Sequence, residues 1–162
     1  MELETSFYCT PEGGMSNYLF GLKCEELFDE KCMPLGIRTA KTAVKCPWDR
    51  EVIAESQIVR VQIKSTRRIV RQHRSGKRVR FRYTVPGIRS KTNKTPYADS
   101  GVDFLAIYIE PQNRWFILPA EQAKGKRINI SQNPQGRMAR ALERWDYFKA
   151  PCLSSSFSAS YP

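Results

Sequence analysis

Residues Arg60-Val61-Gln62-Ile63-Lys64-Ser65-Thr66, with Asp49 upstream, hold the residue types of a metal-assisted phosphodiester-cleaving site. Side chains two apart on a strand share a face. Gln62 and Lys64 therefore point one way, and Val61 and Ile63 the other. A hairpin with Glu55-Ser56 as its two-residue turn pairs Ala54 with Gln57, Val52 with Val59 and Asp49 with Gln62. One face then carries Val52, Ala54, Val59, Val61 and Ile63. The other carries Asp49, Glu51, Arg60, Gln62 and Lys64, with Ile53 and Ile58 nearer the turn. The first face packs, and the second brings acid, amide and ammonium together. Glu51 lies on the same face as Asp49 and replaces it as the site's acid if the turn is not at Glu55-Ser56; otherwise it pairs with Arg60.

The elements that must position these groups follow from pattern. A helix is predicted from Ser16, a suitable N-cap, to Cys32, with Leu19, Leu22, Leu27 and Phe28 as its apolar stripe. Pro34 and Gly36 end it. Strands are predicted over Ile37–Cys46, Asp49–Ala54 and Gln57–Ser65. Thr66–Arg78 reads as basic and turn-like, and Val79–Val85 as a half-buried strand with Arg80, Arg82 and Thr84 on its open face. Pro86–Ser100 reads as loop. Val102–Ile109 and Arg114–Leu118 form a second hairpin. A last helix starts near Pro134 and turns Met138, Ala141, Leu142, Trp145 and Phe148 inward. Helix, three strands, basic insertion, two strands and helix make an α/β or α+β core with a mixed sheet flanked by helices. One domain is expected over residues 1–150, with a basic insertion at about 66–98 and a mobile tail at 151–162.

Composition narrows the partner. The chain of 162 residues has a net charge of +11, and residues 56–98 hold 13 Lys/Arg and no acid. Such a block is a footprint for polyanions, because neutralising phosphates releases condensed counterions. No apolar run reaches the ~20 residues a bilayer requires, and Met1-Glu2-Leu3-Glu4 does not look like a secretory start. A cytoplasmic protein without a membrane partner is expected. Five cysteines, Cys9, Cys24, Cys32, Cys46 and Cys152, are scattered without a C-x-x-C, and His73 is the sole histidine. Free, partly buried thiols are expected rather than zinc or disulfides. His73 reads as a phosphate contact or a solvated side chain, Asp103 as structural, and Trp115 and Trp145 as core.

The ordered motifs resemble the PD-(D/E)XK nuclease superfamily. They are most similar to its small group I intron-associated homing endonucleases, in which the last motif reads Q-x-K. The resemblance rests on Gly21-x-x-x-Glu25, Leu35-Gly36, Pro47-Trp48-Asp49 and Arg60-Val61-Gln62-Ile63-Lys64-Ser65. It continues through Tyr97, Val102-Asp103-Phe104-Leu105-Ala106-Ile107-Tyr108 and Trp115-Phe116-Ile117-Leu118-Pro119.

That resemblance implies a restriction-endonuclease-like core with a basic β-ribbon insertion. It also implies roles: Asp49 as main metal carboxylate, Glu25 as second acid, and Gln62 and the Ile63 carbonyl as further ligands. Lys64 would act at the scissile phosphate. Glu26 beside Glu25 keeps that choice open. The implied cofactor is Mg2+, with Mn2+ as substitute. The implied activity is site-specific cleavage of double-stranded DNA by a homodimer or homotetramer. Arg67, Arg68, Arg71, Arg74, Lys77, Arg78, Arg80 and Arg82 are the expected DNA contacts. A junction resolvase, a repair or restriction enzyme, or a binding protein with a decayed site are the competing expectations.

Overall fold

The computed structural model describes residues 15–42, 45–54, 57–72, 79–89 and 94–149. Helix α1 spans Asn17–Cys32, and the Ser16 side chain accepts the Leu19 N–H at 3.2 Å, as an N-cap should. Strands follow at Arg38–Lys41 (β1), Arg50–Ala54 (β2), Gln57–Thr66 (β3), Ile69–Gln72 (β4), Arg80–Pro86 (β5), Phe104–Ile109 (β6), Arg114–Pro119 (β7) and Arg127–Ser131 (β8), before helix α2 at Gly136–Ala141.

Five strands form the main sheet in the order β1-β2-β3-β6-β7. Only β3 and β6 run parallel within it, so the sheet is mixed as expected. The β2–β3 register pairs Ala54 with Gln57 and Val52 with Val59, as the two-residue turn requires. The turn itself, Glu55-Ser56, lies outside the described residues. Beyond the last ladder pair, Arg50 with Val61, the Asp49 N–H donates to the Val61 carbonyl at 2.9 Å.

Each face of this sheet has its own core. On one side Val52, Val59, Val61, Ile63, Phe104, Ala106 and Tyr108 pack beneath α1 and the aromatics Trp145 and Phe148. On the other, Leu105, Ile107, Phe116 and Leu118 pack against Tyr83, Val85, Ile128 and Ile130. Those last four belong to a second sheet, in the order β4-β5-β8. Directly paired residues share a face, and Gln62 pairs with Leu105 and Lys64 with Ile107. The polar face of β3 therefore points to the side that carries the second sheet.

Several expectations need correction. The buried stripe of α1 is Phe20, Cys24, Phe28 and Cys32, while Leu19 and Leu22 are exposed and Leu27 is half-buried. The helix is apolar around much of its circumference, so periodicity could not fix the phase. The strand expected over 37–46 is shorter. The basic stretch after Thr66 is not all turn, because β4 pairs with β5 through Ile69–Tyr83 and Val70–Arg82. Phe81 is exposed, since β5 starts beyond the core.

The last helix is also shorter than expected. Leu142 turns extended and bridges Phe116, and Glu143 adopts φ +51°. The Glu143 carboxylate accepts the Trp115 N–H at 2.8 Å and the Trp145 indole N–H at 2.6 Å. Those contacts with β7 replace the next helical turn, and Trp145–Phe148 forms a 3-10 turn instead. Trp115 and Trp145 are core residues, as expected. Cys24 and Cys32 are buried free thiols, and burial pushes the Cys32 thiol up to about 12. Cys9, His73 and Cys152 lie outside the described residues.

Candidate active site

The Asp49–Gln62 pair forms because β2 begins one residue after Asp49, leaving its carboxyl at the sheet's end, opposite Gln62. Asp49 Oδ2 accepts the Ile63 N–H at 2.8 Å and a hydrogen bond from Gln62 Nε2. The same Nε2 donates to the Ile63 carbonyl at 3.1 Å. An amide NH2 thus sits between two oxygens. A half-turn of that amide puts its own oxygen in the same position. Asp49 Oδ2, Gln62 Oε1 and the Ile63 carbonyl would then form a three-oxygen donor set, the chemistry that Mg2+ and Mn2+ prefer. Among the described residues no three His, Cys, Asp or Glu side chains cluster as metal ligands.

Burial dominates the electrostatics. It raises the Asp49 carboxyl above its ordinary range, and the Glu25 charge adds to the rise. The Ile63 N–H and the charges of Lys64 and Arg50 pull it down. Lys64 holds its Nζ over the ring of Tyr97, 5.4 Å from the centroid. Tyr97 is buried, and its loop is tied to β3 where Asp103 N–H donates to Arg60 O at 2.9 Å and Asp103 Oδ2 accepts the Arg60 N–H at 2.7 Å. Asp103 thus has the structural contacts expected of it.

Glu25 is held beside this cluster. The buried Arg50 donates from Nη1 to Glu25 Oε2 at 2.8 Å and to the Asp49 carbonyl at 2.9 Å. Its Nε donates to Asp29 at 2.9 and 3.1 Å. Arg50 was absent from the sequence-based site. The available signal was an arginine next to the motif acid, facing a helix with acids at 25 and 29. Glu26 is exposed, so Glu25 is the helix acid that faces Arg50. Glu51 accepts the Trp48 indole N–H at 3.2 Å, and Arg60 stacks over that same indole at 5.0 Å.

The expected DNA contacts scatter more widely. Arg67 is held by the Met15 carbonyl at 3.1 Å and Asn17 Oδ1 at 2.9 Å, and stacks on Phe20. Arg68, Arg71 and Arg80 are exposed and Arg82 is half-buried, while Arg74, Lys77 and Arg78 lie outside the described residues.

The chain belongs to the PD-(D/E)XK endonuclease family, whose characteristic sequence matches residues 43–150. Its fold is similar to that of a bacterial homing endonuclease, I-Ssp6803I, with a TM-score of 0.63 at 19% identity over 82% of this chain and 92% of that one. It is also similar to Hjc, a Holliday junction resolvase from the archaeal hyperthermophile Archaeoglobus fulgidus, with a TM-score of 0.51 at 12% identity over 80% and 95% of the two chains. No curated protein matches the chain. No helix among the described residues is long and apolar enough to cross a membrane.

The raised Asp49 carboxyl has a consequence for stability. The folded protein keeps this proton at pH values where the unfolded chain has already lost it. Stability is therefore lost as pH rises from the ordinary carboxylate range through the raised folded value. Both hydrogen bonds described at Asp49 reach a single oxygen, Oδ2, which an asparagine carbonyl reproduces. Asp49→Asn is expected to melt higher than the parent at neutral pH, by about 2–4 °C for each kcal/mol relieved. The gain should vanish below the ordinary carboxylate range. Thermal melts from pH 3 to pH 8 check this, and a gain that persists undiminished at the acid end contradicts it.

Proposed function

We propose that the protein is a Mg2+-dependent, site-specific endonuclease of double-stranded DNA, of the homing endonuclease kind. The observation that carries this reading is the meeting of the Asp49 carboxylate, the Gln62 amide and the Ile63 carbonyl, with the Lys64 ammonium on the same face of β3. Asp49, Gln62 and the Ile63 carbonyl would hold the ion, with Glu25 adding negative charge from α1. When bound, Mg2+ would supply positive charge at the scissile phosphate and activate water.

The chain's own groups account for the remainder. Lys64, steadied over Tyr97, presents a fixed ammonium to the charge that develops on the phosphate oxygens in the transition state. Arg50 fixes the main chain at Asp49, so the carboxylate does not drift as the substrate arrives. Gln62 brings no formal charge, so the ion would be held loosely until substrate phosphate completes its shell. Arg80 and Arg82, on the outer face of the second sheet, suit readout of guanine in the major groove. Recognition of a long target calls for more surface than one small domain offers, which supports a homodimer or homotetramer.

The likeness to Hjc supports a second reading, cleavage of branched rather than linear DNA. One experiment separates the two. The purified protein is incubated with plasmid, linear duplex and a four-way junction, in Mg2+, in Mn2+ and in EDTA. Discrete fragments from linear DNA in Mg2+ or Mn2+, absent in EDTA, are expected. Cutting confined to the junction favours the second reading. No cutting of any substrate sinks both.

A further inference from the structure

The second sheet has a cleft at its end that is not explained by the metal site. A cavity of about 530 Å3 lies where β5 runs out and β8 begins. Arg89, Lys94, Lys126 and Arg127 line it, along with Val85 and Ile88, and among the described residues no acid does. Among the described residues none of those four cations has an ion-pair partner. Four like charges around one concavity repel one another, and an anion there relieves that repulsion.

The backbone fixes the cleft before any ligand arrives. A Cβ on Gly87 would come within 2.4 Å of the Gly125 carbonyl, so only glycine lets the two segments approach this closely. The Gly87 N–H donates to the Lys126 carbonyl at 2.9 Å, which locks the approach. Ile88 bridges Pro96, and the Arg89 N–H donates to the Thr95 carbonyl at 3.0 Å. Lys94 adopts φ +45°, a left-handed conformation that a lysine adopts at a cost. Tyr97, the ring beneath Lys64, follows Pro96 directly in the chain. Cleft and candidate active site are thus linked by one short segment.

Register identifies the occupant. Arg82 pairs with Ser131, Thr84 with Asn129 and Pro86 with Arg127. Arg80, Arg82 and Arg127 therefore share the outer face of the second sheet, while Tyr83 and Val85 face the core. From Arg80 to Pro86 a strand rises about 20 Å, close to six base-pair steps of duplex DNA at about 3.4 Å each. A small anion does not need a cationic track of that length. The apolar Pro86 and Ile88 beside the charges suit the sugars of a nucleic-acid backbone better than a bare ion.

We infer that this cleft is a second phosphate-binding site, which holds the duplex DNA backbone away from the scissile bond through Arg89, Lys94, Lys126 and Arg127. The inference rests on the nuclease reading, and it adds Lys126 and Arg127, from outside the acid-free segment, to the DNA surface. These residues touch none of the groups at the Asp49–Gln62 cluster, so they anchor rather than react.

The test measures duplex binding without divalent ion across a series of salt concentrations. It compares the full chain, Lys126→Gln/Arg127→Gln, and a control pair, Lys23→Gln/Lys31→Gln. The control residues are exposed on α1, against the opposite face of the main sheet, and their loss removes the same charge. The cleft pair is expected to weaken binding about tenfold or more at about 0.15 M salt and to reduce the log–log salt slope by about 2. The control should stay within about threefold. Cleft variants that bind as the control does overturn this inference and leave the nuclease reading standing. A parent protein that binds no duplex at any salt overturns both.

Discussion

Lys64→Ala is expected to slow DNA cleavage by about a thousandfold while duplex affinity stays within about threefold of the parent. The asymmetry follows from where the ammonium sits. Its ground-state neighbour is the Tyr97 ring, 5.4 Å away, and no ion pair with an acid is described for it. Its charge is thus available for the phosphate oxygens as they gain negative charge. One ammonium among so many cations contributes little to holding the duplex. Asp49→Ala should fail as completely, for a different reason, since it removes the carboxylate to which Gln62 and Ile63 both donate.

Metal titration separates the two variants. Asp49→Ala should lose the melting shift expected of the parent with Mn2+, whereas Lys64→Ala should keep most of it. That shift should be slightly weaker, because Lys64 is one of the cations holding the Asp49 carboxyl down. Single-turnover cleavage rates and anisotropy binding are the measurements. Parent-like cleavage by either variant removes the site assignment.

How much of this was legible depended on whether a local rule had a competitor. The β2–β3 hairpin was legible because strict alternation and a two-residue turn admit one register, and a slip by one residue would turn Val52 and Val61 outward. That register alone put Asp49 opposite Gln62. The phase of α1 had a competitor. Tyr18, Leu19, Phe20, Leu22 and Leu27 spread around the helix, and Cys24 and Cys32 pack as small apolar residues in the core.

Strand β8 went unread although Ile128 and Ile130 alternate with polar neighbours. Five residues next to Gly125 and Lys126 resemble loop until β5 supplies a partner edge. The split of the sheet into two was equally hidden. It depends on β5 leaving β3 to pair with β4 and β8, a long-range choice that no window of sequence contains. The end of α2 was set by Glu143, whose carboxylate accepts the Trp115 N–H from distant β7 as well as the indole N–H of nearby Trp145.

Arg50 depends on a helix distant in the chain in the same way, and its removal is expected to produce a large stability loss. Its side chain is 3% exposed, with Glu25 at 2.8 Å and Asp29 at 2.9 Å on the helix above. Thr39 also donates to Asp29, at 2.8 Å, so the Asp29 carboxylate ties α1 to both β1 and β2. Truncating one partner of a buried pair leaves the other charges uncompensated, which costs ~3–5 kcal/mol when all are buried. Glu25 and Asp29 are 24% and 26% exposed, and water can partly solvate them. The lower end applies: Arg50→Met should lose about 3 kcal/mol, or about 6–12 °C in a chain of this size.

Adding Glu25→Gln and Asp29→Asn to Arg50→Met should recover part of that loss, because the orphaned charges go with it. Arg50→Lys separates stability from positioning. A lysine keeps one charge but lacks the fork that reaches Glu25, Asp29 and the Asp49 carbonyl together. It is expected to fold with a smaller deficit yet cleave markedly more slowly, since Asp49 loses its main-chain anchor. Urea melts with a double-mutant cycle measure the coupling. An Arg50→Met variant within about 0.5 kcal/mol of the parent, the range of an ordinary surface change, would show that the helix is held by its apolar stripe alone.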